Sequence, residues 1–151
     1  MGDRGYLGNP NVTEVLSHAR VAPAVTELFL VLPNNAIVNG NFAADANWDK
    51  GVGWTIAAGV ATGTPAISTD LSQTVDPLTA GTVYRGTYTI TRTAGTITPV
   101  CGTQLGVARA LTGTYSEDVL CIGTGVFKFA TAGFTGTVDN VSAVIMTNAS
   151  R

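Results

Sequence analysis

The sequence predicts an all-β fold, an antiparallel β-sandwich or jelly roll, preceded by an N-terminal arm that contains a short helix or an extra strand. Three observations predict it. From Ile37 onward, short stretches rich in Val, Ile, Thr, Tyr and Phe are separated at regular spacing by turn signals. Only 12 % of the residues are charged, and Thr, Ala, Gly and Val fill the gap, a mixture poor for helices and good for strands and turns. Apolar residues make up 45 % of the 151, enough to build the core of one domain of ordinary size.

The character of the chain changes near residue 35, so residues 1–35 read as the arm and 36–151 as the sandwich. In the arm, a polar start (Met1 to Pro10) is followed by Val12, Val15, Leu16 and Ala19 at the i, i+3, i+4, i+7 spacing of one helix face. Asn11 or Thr13 can cap that helix and Pro23 ends it. Thr26 to Leu32 then reads as a strand or an extended arm.

In the sandwich, strands are expected near 36–42, 53–57, 59–63, 66–75, 82–93, 96–101, 104–109, 114–122, 125–131 and 134–146. Turn residues separate them, among them Asn39-Gly40, Ala58-Gly59, Ala94-Gly95 and Ala132-Gly133. Alternation assigns the faces. Tyr84, Tyr88 and Ile90 share one, as do Phe127 and Phe129. In the last strand, Phe134 and Val138 are out of phase with Val141, Ala143 and Ile145. A bulge near Asp139-Asn140 would bring both sets to the core side.

The chemical inventory is sparse. The single histidine, His18, lies in the arm and reads as a solvated helix residue, so a Ser-His-Asp triad would have to borrow it from outside the sandwich. There is no Gly-x-Ser-x-Gly elbow, His-Glu-x-x-His pair or phosphate-binding Gly-Lys-Thr loop. The neighbouring carboxylates Asp45 and Asp49, and Glu117 and Asp118, read as solvated charge rather than as a glycosidase pair. No enzyme is expected.

Cys101 and Cys121 read as two free, buried thiols, with a disulfide open to them if their strands are neighbours. Trp54 reads as core. Trp48, in the polar run Asp45 to Lys50, reads either as an exposed contact, and then as the first candidate for a glycan, or as a lid packed over one end of the sandwich. A net charge of −2 with scattered basic residues disfavours nucleic acid. No apolar run is long enough to span a bilayer. The first residues lack the basic-then-apolar order of a secretory signal, so the chain is expected to stay in the cytoplasm of the cell that makes it.

From Asn39 onward, a series of short motifs follows a recognisable order: Asn39-Gly40-Asn41-Phe42, Gly53-Trp54-Thr55, Gly59-Val60-Ala61, Leu71-Ser72-Gln73, Ala80-Gly81-Thr82-Val83-Tyr84 and Phe134 to Val141. This order resembles the carbohydrate-binding-module-like jelly rolls of the galactose-binding-like type. Domains that look like this occur in secreted glycoside hydrolases and recur in tailed-phage virion proteins, as capsid decoration (cement) proteins and as tail or fibre modules. Secreted relatives often carry a structural calcium between the first strand and the final Asp-x-Val region. Asp139 matches that region and Asn41 the partner position, but few other carboxylates lie near, and no cofactor is expected.

The resemblance, together with the arm, implies a non-enzymatic capsid decoration protein on the virion surface, made in the host cytoplasm. It would act as a homo-dimer or homo-trimer that binds the major capsid protein. Tyr6, Leu7, Pro10, Leu28, Phe29 and Leu30 would form the contact, although Leu28 to Leu32 also suits an extra strand of the sandwich. The alternative is a carbohydrate-binding adhesion module of a phage tail or head fibre, with a surface glycan as partner and Trp48 as its aromatic platform.

Overall fold

The computed structural model describes residues 34–75 and 77–146. Among them are eight strands and no helix: β1 (Trp48–Lys50), β2 (Trp54–Ala57), β3 (Val60–Ile67), β4 (Leu71–Gln73), β5 (Val83–Cys101), β6 (Gln104–Leu105), β7 (Gly113–Leu120) and β8 (Phe127–Ile145). Every pairing between these strands is antiparallel, as the sequence predicts.

The spine is the pair β5 and β8, each of 19 residues. They run together from Tyr84 opposite Ile145 to Cys101 opposite Phe127. On the other edge of β8, β3 pairs near Phe134 to Val138 and β4 pairs at Lys128 and Phe129. β2 then extends β3, and β1 extends β4. On the other edge of β5 lie β7 and β6.

This ribbon doubles back on itself. In a straight strand, Tyr88 and Pro99 would sit roughly 36 Å apart along β5. Phe129 is paired with Pro99, yet its ring meets the Tyr88 ring edge-on with centroids 5.3 Å apart. The bend falls where the register shifts between Arg92 and Thr96. Gly95 there has φ +70°, and a Cβ on it would stand 2.0 Å from the carbonyl oxygen of Gly133.

Several sequence expectations change for that reason. Ala94-Gly95 and Ala132-Gly133 carry turn chemistry, but the ladder resumes on either side of them, with Ala94 opposite Thr135 and Thr96 opposite Ala132. They are corners within strands. The expected strands 82–93 and 96–101 are therefore one, β5, and 125–131 and 134–146 are one, β8. The expected strand 66–75 is divided between the end of β3 and β4, and 104–109 shrinks to the two residues of β6.

The expected strand 36–42 is absent. Asn35 makes a single bridge to Val144, and the chain then turns, with Phe42 N–H donating to the Asn39 carbonyl at 3.1 Å. Asn39 and Phe42 take left-handed φ values of 53° and 49°. This turn drops the Phe42 ring into the core.

The bulge near Asp139-Asn140 is present. The register shifts between Thr89–Asp139 and Thr87–Ser142, and Asn140 has φ 53°. Phe134 and Val138 before it and Val141 and Ala143 after it are all buried, whereas Ile145, expected with them, is exposed at the end of the strand. Tyr84, Tyr88 and Ile90 face the same core, with Phe127 and Phe129, as alternation predicts. Burying each such large apolar side chain contributes about 1.5–3 kcal/mol. Trp54 is also core: its ring stacks on Phe134 and its Nε1–H donates to the Thr69 carbonyl at 3.1 Å. Gln73, buried and polar, is fully employed. Its Oε1 accepts from Val38 N–H, and its Nε2 donates to the carbonyls of Val38 and Asn47.

Two glycines on β5 respond oppositely to an added methyl group. Gly95→Ala forces a Cβ into the opposing backbone at a left-handed φ, and should cost roughly 2 kcal/mol or more in denaturant unfolding. Gly86 lines a small apolar cavity of about 20 Å³, and its Cβ would rest 3.9 Å from the nearest atoms. Gly86→Ala should raise stability by about 0.5–1 kcal/mol in the same experiment.

Candidate interaction surface

β6, Arg109 and β7 follow one another along the same edge of β5. Because β5 bends between their partners, the connecting segment 102–112 is brought against β7. Two backbone bonds anchor it, Arg109 N–H to the Ile97 carbonyl at 2.8 Å and Ile97 N–H to the Arg109 carbonyl at 3.1 Å.

The Arg109 side chain completes the attachment. Its Nη2 meets Glu117 Oε1 at 2.6 Å and its Nε donates to the Tyr88 hydroxyl at 3.1 Å. That hydroxyl donates to Glu117 Oε1 at 2.8 Å, while Glu117 Oε2 accepts from Val107 N–H at 2.7 Å. The guanidinium also lies 4.4 Å from the centre of the Tyr115 ring, a cation–π contact. With side-chain exposures of 19 % and 12 %, Arg109 and Glu117 are largely shielded from water, so each needs the other. The expectation that Glu117 is plain solvated charge is corrected here. Its neighbour Asp118 points to the opposite side of the strand and pairs with exposed Arg85 at 2.7 Å. Adjacent strand residues therefore do not combine as a carboxylate pair at this position.

Burial is the main cause that pushes the Tyr88 phenol up. Its bond to Arg109 opposes that shift, and its bond to Glu117 adds to it. The hydrogen bond from Arg85 holds the Asp118 carboxyl below the usual carboxylate range.

The pinned segment presents apolar side chains outward. Leu105 and Val107 are 62 % and 54 % exposed, and they flank a groove whose other wall includes Leu120, 44 % exposed. Leu111 and Ile122, close by in sequence, are exposed as well. Among the described residues, β7 pairs with a strand on one edge only. The large apolar side chains and the unpaired strand edge are both features that favour association with another surface.

The residues singled out from sequence are placed elsewhere. Tyr6, Leu7, Pro10, Leu28, Phe29 and Leu30 lie outside the described residues, as does His18. Trp48 is corrected: it is 4 % exposed and offers no platform to a glycan. Its polar neighbours suggested a loop, but residues 48–50 form β1, and a three-residue strand is too short for alternation to be read. The ring packs against Phe42 and Phe127, and its Nε1–H donates to the Asn39 carbonyl at 3.0 Å.

Asp139 accepts from the N–H and the side-chain amide of Asn140. Asn41 accepts from Ala43 N–H and lines an open polar cleft with Asn39, Asn140 and Ser142. Among the described residues, no group of three or more His, Cys, Asp or Glu side chains is placed to hold a metal ion. Among the described residues there is no helix long and apolar enough to cross a membrane.

Nothing in the sequence marks the residues that organise the surface (Tyr88, Arg109 and Glu117) as a group. Alternation did reveal Tyr88 as core, but its partners depend on the bend.

Fold and surface together define an all-β protein with an exposed apolar edge held by a shielded ion pair. No protein-family model matches the chain, and no curated protein matches it. Among solved structures, the chain is similar to the enzymatically active domain of tailspike protein 4 of bacteriophage CBA120, with 16 % sequence identity and a TM-score of 0.45. The match covers 74 % of this chain and 21 % of that one, so this chain spans about a fifth of its length.

The clamp predicts a particular alkaline response. The Tyr88 phenol has a higher pKa folded than unfolded. Its contribution is therefore fully present below about pH 10 and is lost as pH rises through the folded value. Between pH 8 and 11, the thermal midpoint of Tyr88→Phe should fall less steeply than that of the parent chain. At neutral pH, Glu117→Ala should cost about 2–3 kcal/mol in unfolding free energy, because it leaves Arg109 shielded without a counter-charge.

Proposed function

We propose that the chain is a non-enzymatic structural protein of a phage virion, a capsid decoration protein that binds the outer capsid surface. In this reading it acts as a homo-dimer or homo-trimer and bridges neighbouring copies of the major capsid protein. The observation that carries the reading is the apolar surface of Leu105 and Val107, on a segment pinned by Arg109 and Glu117, together with Leu120 of β7. A surface held in place before binding loses little conformational entropy when it docks.

The jelly-roll resemblance supplies the class of protein, and the low charge of the chain supports extensive coverage by a partner. Residues 1–35 would add a second attachment, which raises the effective concentration of the first. The reading needs no metal or cofactor. The alternative, a glycan-binding adhesion module, loses its first-choice aromatic because Trp48 is buried.

The test is co-sedimentation of the purified full chain with capsids of the phage that encodes it. Saturable binding at a fixed ratio to the major capsid protein is expected. Leu105→Asp combined with Leu120→Asp should weaken binding about tenfold or more with only a small change in thermal midpoint, since both side chains are partly exposed and neither belongs to the core. A strict monomer that leaves both expanded and mature capsids bare would overturn the reading.

A further inference from the structure

We propose that Cys101 and Cys121 form an intramolecular disulfide site, closed by exchange with a small-molecule disulfide such as oxidised glutathione. Cys101 is the last residue of β5, and Cys121 follows directly on β7. Beyond them the two segments run parallel for one step, bridged at Gly102 and Ile122. Ile122 N–H donates to the Cys101 carbonyl at 3.4 Å, and Thr103 N–H donates to the Ile122 carbonyl at 2.8 Å.

Segments paired in this way lie about 4.7–4.9 Å apart, within the roughly 4.4–6.8 Å between Cα atoms that a disulfide requires. The residues just before a parallel bridge pair also point to the same side. Here that side is the core, and both cysteines are buried in it. Their thiols are near neighbours there, and the Cys121 thiol donates to the Thr124 carbonyl at 3.5 Å.

The surrounding backbone holds this arrangement tightly. A Cβ on Gly102 would stand 2.0 Å from the Ile122 carbonyl oxygen, so only glycine permits the approach. Gly102 N–H donates to Val126 at 2.7 Å. Cys121 is tied through its own N–H to Thr82 at 2.9 Å, and through its carbonyl to Gly81 at 2.8 Å.

Both cysteines are free thiols in this structure. Burial, reinforced by the contact with Cys121, pushes the Cys101 thiol up, which disfavours the thiolate that exchange requires. The bond therefore closes while the chain is folding or locally open. One thiolate attacks the small disulfide and releases one small thiol. The second thiolate then attacks the mixed disulfide and releases the other. The two cysteines lose two electrons and two protons, and the small disulfide is reduced to two thiols. The new bond encloses β6, Arg109 and β7, and so staples the segment that carries Leu105 and Val107. The pairing is independent of the virion reading.

The experiment refolds the reduced full chain either in a glutathione redox buffer or in excess dithiothreitol. In the redox buffer, non-reducing peptide mapping should show one cross-link, between residues 101 and 121. The thermal midpoint should rise by about 5–10 °C over the reduced chain, because the closed loop restricts the unfolded state. Unfolding in reductant should abolish the rise, and Cys121→Ala should show none. If that variant folds poorly, the reduced parent chain remains the comparison. Stable glutathione adducts on both cysteines, cross-links between chains, two alkylatable thiols after full equilibration, or a lowered midpoint would each overturn the proposal.

Discussion

Tyr88 and Phe129 touch because the ribbon of β5 and β8 folds back along its length. A flat ribbon of two 19-residue strands would leave one apolar face in water over its whole extent. Bending it at Arg92 to Thr96 turns that face inward on both halves, and the core then forms between them. Trp48 against Phe127 and Trp54 against Phe134 close the two ends with side chains from the short outer strands. Gly95 is indispensable at the corner for a steric reason, since the opposing backbone occupies the space of a Cβ.

The same bend creates the polar cluster. Arg109 belongs to the partners of one half of β5, and Tyr88 and Glu117 belong to the other half. Folding the ribbon brings a guanidinium, a phenol and a carboxylate together where water is largely excluded. A shielded pair of this kind adds little net stability compared with an apolar substitute, but separating it is costly. Its structural consequence is to hold the 102–112 segment in one place. A surface built from Leu105 and Val107 is thereby presented at rest.

Apolar exposure and thiol pairing converge on this end of the molecule. Leu120 and Ile122 flank Cys121, and Cys101 leads directly into β6. The segment that exposes these apolar groups is thus held at its base by backbone bonds to Ile97 and by the ion pair with Glu117, with the two buried thiols beside it. Such redundancy leaves the apolar segment little conformational freedom to lose if it is covered.

Local pattern alone specifies the all-β antiparallel class, the core face of β5 at Tyr84, Tyr88 and Ile90, the core role of Trp54, and the bulge at Asp139-Asn140. Each of these is a local property: two-residue alternation survives whatever the strand pairs with, and a phase slip shows as two apolar sets out of step. Only the tertiary structure decided that Ala94-Gly95 and Ala132-Gly133 are corners, since glycine serves a turn and a bend equally well. It alone buried Trp48, whose polar neighbours face outward from a strand too short to show a period. It alone joined Tyr88, Arg109 and Glu117, and set Cys101 beside Cys121, because these meetings depend on where a long ribbon bends and on which distant segments the bend brings together.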